Sequence, residues 1–419
     1  MDRRTFLSAL SLAPVAANEA LRMVADPSTN PKPSSSESAS MWTYLWDIAD
    51  EGYQTVMERL KENGLTSLSL ATAYHAGKFL APHNPKRKVV FLEDGTVYFQ
   101  PNRGSYGRVK PLVNSLVKEG HHLASVKKAA DKFGLQTRAW VVCCHNTRLG
   151  MQYPEIACEN AFGDKIYHNL CPSSRELREY LRSMVNDIAA HGIDTIELEA
   201  LQFQGYGHGF HHEREGIELS TAMRFLLGLC FCPSCLSRGR DSGMSLESIR
   251  SFTRSTLQQH FERPGSMDDK YGNVDSLPKE VFEPFLDWRK SVVVSLVEEL
   301  SGFAKSTKLR PMMSLDPAAR ALVSMDAAKV SEATGGVLAL GYLKDGAALR
   351  APLAGLQSIV GSAEVTVGFQ VGLPESGGRK EFLDRMSVAK DLGIRSFNFY
   401  NYGFIPLENL SWIREVLRG

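Results

Sequence analysis

The chain has 419 residues, 43% of them hydrophobic and 23% charged. That composition is ordinary for a globular protein and excludes a disordered chain, a collagen-like chain and a polytopic membrane protein. Lys and Arg total 48 against 47 Asp and Glu, a net charge of +1, so the basic footprint of a nucleic-acid binder is absent. At roughly 100–200 residues per domain, the length admits two or three domains or one large α/β barrel with insertions.

Residues 1–20 read MDRRTFLSALSLAPVAANEA. Arg3 and Arg4 precede an uncharged run from Phe6 to Ala17, with small residues Ala16, Ala17 and Ala20 near its end. The run is shorter than the ~20 residues that a bilayer-spanning helix needs. It fits a cleaved signal peptide, and D-R-R-T-F-L resembles the bacterial twin-arginine export signal. The expected location is therefore the periplasm or the exterior, with no integral membrane span in the mature chain. No Cys follows the run, which argues against a lipid anchor. Residues 21–40, rich in Pro and Ser from position 27, read as a disordered linker. One folded domain is expected over 41–419.

From there one grammar repeats: an amphipathic helix, a glycine, a short apolar strand. Strands are expected at 43–48, 65–72, 136–143, 193–200, 309–315, 337–342, 364–371 and 395–400. Helical patterns separate them at 53–63, 111–133, 174–191, in pieces over 217–305, and at 326–334, 346–358 and 379–392. Gly64, Gly134, Gly192, Gly336 and Gly393 stand at the helix-to-strand joints, where a left-handed residue ends a helix. In the helix starting at 174, Ser173 and Glu176 fit a capping box, and Leu177, Leu181, Met184, Val185 and Ile188 form one apolar face. Eight strands in βα alternation predict an α/β fold of the (β/α)8 TIM-barrel type. A doubly wound open sheet is the rival, but no G-x-G-x-x-G follows the first strand. Two connections are long. Residues 73–110 carry KVVFLEDGTVYF, read as a hairpin about Asp94-Gly95, and 201–285 carry a His- and Cys-rich segment. Both follow strands, so both should roof the active face.

The fourth strand, D-T-I-E-L-E-A, is the most informative. Ile196 and Leu198 alternate with Glu197 and Glu199, so period two puts both acids on one face, the barrel interior. An inward acid is costly unless paired, hydrated or used. Glu199, nearer the strand's C-terminal end, is the better catalytic candidate. Other strand ends supply Trp46 and Asp47; Tyr74, His75 and Lys78; His145 and Asn146; Asp316; Gln370; and Asn398 and Tyr400. Acids, amides and aromatic rings around one mouth suit a sugar, which offers hydroxyls to the first two and C–H faces to the third. Glycoside hydrolysis needs two carboxylates. Glu199 as general acid with Asp316 as nucleophile or base is the expected pair, with Glu197 and Asp47 as substitutes. The other strand-end residues are expected to bind a carbohydrate substrate, with no cofactor required. One alternative is a metal-dependent sugar isomerase or hydrolase with His75, His145, Glu199 and Asp316 as ligands. Another is a non-catalytic carbohydrate-binding barrel.

Cys232 and Cys235 stand at Cys-x-x-Cys spacing. With Cys230 and His208, His211 or His212 they would complete a structural zinc site. A disulfide formed after export and free buried thiols are the alternatives. Cys143, Cys144, Cys158 and Cys171 show no ligand spacing, and seven is an odd number of cysteines.

Tyr74-His75-Ala76-Gly77-Lys78-Phe79-Leu80, Pro82-His83-Asn84-Pro85 and FLEDGTVYFQP form one block. Asn169-Leu170-Cys171-Pro172, Arg178-Glu179-Tyr180-Leu181 and the late Cys-x-Cys-x-x-Cys extend it. Together, over about 70–240, they resemble a group of bacterial TIM-barrel proteins assigned to the glycoside hydrolases. The resemblance implies the same barrel and a carbohydrate substrate. In that group the fourth strand often reads like D-G-I-x-x-D, which sets Glu199 near the acidic position.

Overall fold

The structure, a computed structural model, describes residues 37–207, 212–304 and 307–418. The expected signal peptide and His208 and His211 lie outside the described residues. Eight parallel strands form the frame: β1 Ser38–Thr43, β2 Ser67–Tyr74, β3 Gln136–Val142, β4 Thr195–Glu199, β5 Lys308–Ser314, β6 Gly336–Leu340, β7 Glu364–Gln370 and β8 Ser396–Tyr400. Each pairs with the next, and β1 pairs in parallel with both β2 and β8, which closes the sheet into a (β/α)8 barrel. A helix follows each strand, such as Tyr53–Glu62 after β1, Arg175–Ala189 after β3 and Lys279–Phe303 after β4. The apolar face expected of Arg175–Ala189 is buried, with Tyr180 added to it. Among the described residues no helix is long and apolar enough to cross a membrane.

The first strand lies earlier than its predicted place at 43–48. Ser38–Thr43 is the strand, and Leu45–Glu51 is a helix. Residues 38–40, assigned by composition to the linker, thus belong to the barrel. Serine reads as linker in a sequence, but here Ser40 and Ser67 are register partners, both buried. Two residues on, the Trp42 indole is fully buried and crowds its surroundings. The same crowding explains Gly368 on β7, where a Cβ would come within 2.6 Å of the Trp42 ring.

Three further boundaries differ. Ser174, not Ser173, caps its helix, accepting the Leu177 N–H, while Glu176 turns outward to Arg108. Gly335, not Gly336, takes the left-handed conformation (φ 68°), and Gly336 opens β6. The segment about Asp94-Gly95 turns but is no hairpin. Val89–Phe91 pairs with Lys78–Leu80, whereas Thr96–Val97 pairs with the end of β2 and with Leu112–Val113. Beyond the two long connections expected after β2 and β4, β3 carries one too. It holds the helix Thr147–Gln152 and the strand pair Ala157–Glu159 and Lys165–Leu170.

Candidate functional site

The alternation that turns Glu197 and Glu199 inward on β4 also turns Arg138 and Trp140 inward on β3. Trp140 Nε1–H donates to Glu199 Oε2 at 2.6 Å. Glu199 ends its strand partly exposed, with aromatic rings gathered beside it. Trp140 lies 4.8 Å from Tyr74, 5.6 Å from Tyr44 and 6.1 Å from Tyr400, centroid to centroid, and Tyr342 lies 6.0 Å from Tyr400. Burial pushes the Glu199 carboxyl up to about 7, against the opposing pull of the Trp140 hydrogen bond. At neutral pH the group is therefore poised to give or take a proton. Phe79, on the strand Lys78–Leu80 of the segment after β2, packs 5.3 Å from Tyr44 and 4.7 Å from Phe404. That insertion thus reaches the aromatic cluster around Tyr44.

One layer below, Glu197 is in different company. It is 0% exposed. Its Oε2 accepts from Trp42 Nε1 (2.8 Å) and Ser69 Oγ (2.7 Å), and its Oε1 accepts from Asn398 Nδ2 (2.8 Å). Arg138 Nη1 stands 3.6 Å from Oε1. Burial raises the Glu197 pKa, and the Arg138 charge and these hydrogen bonds oppose the rise. The residue sits at the centre of a polar network inside the barrel.

The remaining strand-end residues divide. Tyr74 and Tyr400 line the mouth. His75 stacks on Tyr74 at 4.4 Å and meets His145 edge-on at 4.5 Å, so the ends of β2 and β3 are brought together. Gln370 ends β7 and is buried. Asn398 is spent on Glu197. Lys78 is exposed. Asn146 caps the helix Thr147–Gln152 by accepting the Leu149 N–H. Trp46 is buried in a stack with Tyr44 at 4.3 Å. Asp47 is 1% exposed, and its Oδ2 accepts the Tyr44 N–H at 2.9 Å. Burial lifts the Asp47 carboxyl to about 7, with His83 and the Tyr44 amide opposing. Asp316 follows β5, partly exposed, and its Oδ1 accepts the Ala318 N–H that starts the helix Pro317–Leu322. Trp42, Tyr44, Trp140 and Tyr342 escaped the sequence reading. Period two on β3, the argument used for Glu197 and Glu199, would have found Trp140.

Among the described residues, the metal-ligand set His75, His145, Glu199 and Asp316 does not form a cluster of donor atoms. Cysteines do. Cys171, Cys230, Cys232 and Cys235 are all buried, with sulfurs within 4.8 Å of one another. Cys171, which showed no ligand spacing in the sequence, closes the set, as the end of the Lys165–Leu170 strand meets the segment after β4. His212 is described and is not in it.

No family model matches this sequence, and neither does any curated relative. Solved structures share its fold. It superposes on the β-galactosidase of the psychrophilic Marinomonas ef1 with a TM-score of 0.55 at 9% identity, over 91% of this chain and 59% of that one. Lower scores join it to α-L-fucosidase isoenzyme 2 from Paenibacillus thiaminolyticus (0.42, 12% identity, 91% of this chain and 49% of that). A chitinase from Bacillus thuringiensis scores 0.43 at 9% identity, over 92% of this chain and 70% of that. At such identities the likeness is one of fold alone. The chain spans only 59% of the β-galactosidase's length.

Proposed function

We propose that this barrel hydrolyses glycosidic bonds in an oligo- or polysaccharide, with Glu199 as the proton donor. One observation carries the reading: a residue at the strand's end, itself partly exposed, whose carboxyl is lifted to about 7 by burial, at a mouth walled by Trp140, Tyr74, Tyr400 and Tyr342. A general acid works best with a pKa near the working pH, and aromatic faces hold the C–H faces of a sugar ring. Asp316, above the next strand around the barrel, is the partner as nucleophile or base. Its partial exposure supports that role, and its capping bond to Ala318 would hold the carboxylate in place. Glu197 holds the floor beneath. A retaining or inverting outcome follows from the separation of the two acids when substrate is bound.

The test is hydrolysis of a panel of aryl glycosides and oligosaccharides by the wild type, Glu199→Gln and Asp316→Asn. Loss of turnover in Glu199→Gln with retained sugar binding is expected. Unchanged turnover in that variant would remove the assignment, and binding without turnover in the wild type would make the barrel a carbohydrate receptor. Export rests on the Arg3-Arg4 signal. Fractionation of cells producing the full chain and its Arg3→Lys, Arg4→Lys variant tests it, the variant being expected to stay in the cytoplasm.

A further inference from the structure

We propose that Cys171, Cys230, Cys232 and Cys235 bind one zinc ion as four thiolates, and that this ion fastens the segment after β4 to the hairpin after β3. Three independent observations support the site.

The first is spacing. Cys171 Sγ lies 3.4 Å from Cys235 Sγ, 3.5 Å from Cys232 Sγ and 3.8 Å from Cys230 Sγ. A disulfide needs about 2.05 Å. Four sulfurs at ~2.3 Å from a zinc ion in a tetrahedron stand about 3.8 Å apart. One atom in contact with three others at nearly that edge is the arrangement of a ligand cage.

The second is the backbone. Cys232 is the N-cap of the helix Pro233–Asp241, with Pro233 in its first position and Cys235 in its first turn. Unpaired amides at a helix start favour negative charge on those sulfurs. The Glu159 N–H points at Cys230 Sγ (3.4 Å), and the Phe231 N–H donates to Glu159 O (2.7 Å). The two chain segments are thus already joined by their main chains where the sulfurs meet.

The third is charge. Arg289 is 2% exposed and lies over the rings of Phe203 (4.6 Å), Phe225 (5.6 Å) and Phe285 (5.8 Å). Its Nη1 donates to Leu322 O, and no carboxylate among the described residues pairs with it. A buried guanidinium without a counter-charge is costly. Three sulfurs of the cluster, Cys171, Cys230 and Cys235, lie near enough to offset that charge if they are ionised, as does Cys158 beside them. Four neutral thiols would leave Arg289 uncompensated. Four thiolates around Zn²⁺ carry a net charge of −2 and supply the counter-ion. Arg178 faces Cys171 as a second cation while also bridging to Glu299 at 3.0 Å.

A closed set of four thiolates leaves no open position, so the role is structural rather than catalytic. Cys158 also contacts Cys171 and Cys230 but stands outside the mutual cluster. It therefore serves as the control. The experiment is metal analysis of the full-length protein purified without chelator, with zinc release by a mercurial followed by a chromophoric chelator. One zinc per chain is expected in the wild type and in Cys158→Ser, and less than a tenth of that in Cys171→Ser. If Cys171→Ser does not fold, cobalt substitution of the wild type takes its place, and a thiolate-to-cobalt charge-transfer band of tetrahedral intensity is expected. Absence of stoichiometric metal, iron in its place, or mass-spectrometric disulfides among these four cysteines would overturn the site. None of these readouts depends on glycosidase activity, so failure here leaves the reading of Glu199 standing, and the converse holds.

Discussion

Glu197 and Glu199 stand two residues apart on one strand and face the same way, yet they occupy different chemical worlds. Glu197 is enclosed, with donors from Trp42, Ser69 and Asn398 and the cation Arg138 beside it. Glu199 reaches the rim with a hydrogen bond from Trp140 and a pKa of about 7. Burial acts on both. At the lower position it is answered by a built network, and at the upper one it is left largely unanswered. A carboxyl whose desolvation is not compensated is the kind that can move a proton, and one that is satisfied on both oxygens holds a barrel together.

The comparison can be broken most directly at its upper member. Glu199→Gln should lower kcat on the order of 10²–10⁴-fold, the usual contribution of a positioned acid. Its urea midpoint should stay near the wild type's. Glu197→Leu should do the opposite. Removing one partner of a buried pair leaves Arg138 uncompensated, a loss of about 3–5 kcal/mol in denaturant unfolding. If Glu197→Leu proved as stable as the wild type, the lower glutamate would not be the structural one.

A smaller effect lies in the pH dependence. An acid must be protonated to donate, so kcat/KM should fall about tenfold per pH unit above pH 7. Glu199→Gln should lack that limb. The stability arm has a definite sign. Glu199 and Asp47 both rise to about 7 on folding, so below their values in the unfolded chain nothing is lost. Above those values the unfolded chain releases protons that the folded chain keeps, and stability declines as pH rises toward 7. Urea unfolding at pH 5 and pH 8 should show a shallower decline in Glu199→Gln. The smallest change expected is in Trp140→Phe. Its indole N–H holds the Glu199 pKa down, so its loss should shift the alkaline limb to higher pH, with kcat at pH 6 changed by less than about tenfold.

Much of this was legible in local patterns. Apolar periodicity, with glycines at several helix-to-strand joints, placed seven of the eight strands, because residues whose own backbone preferences end one element and begin the next punctuate the chain there. Period two on a five-residue strand sufficed to turn both glutamates inward. The first strand was misplaced at its serines. Ser40 is buried and Ser38 Oγ accepts from Arg138 Nη2, and nothing local distinguishes such serines from a linker.

The sequence by itself determined the barrel, the inward face of β4 and three of the four clustered thiols, since each depends on neighbours a few residues apart. Only the tertiary structure decided which glutamate is satisfied and which is poised. Their partners, Trp42, Ser69, Arg138, Trp140 and Asn398, come from β1, β2, β3 and β8. The structure likewise brought Cys171 to Cys230, 59 residues away in the chain. Solvation and charge are set by what surrounds a group in space, and a closed barrel gathers those surroundings from its whole length.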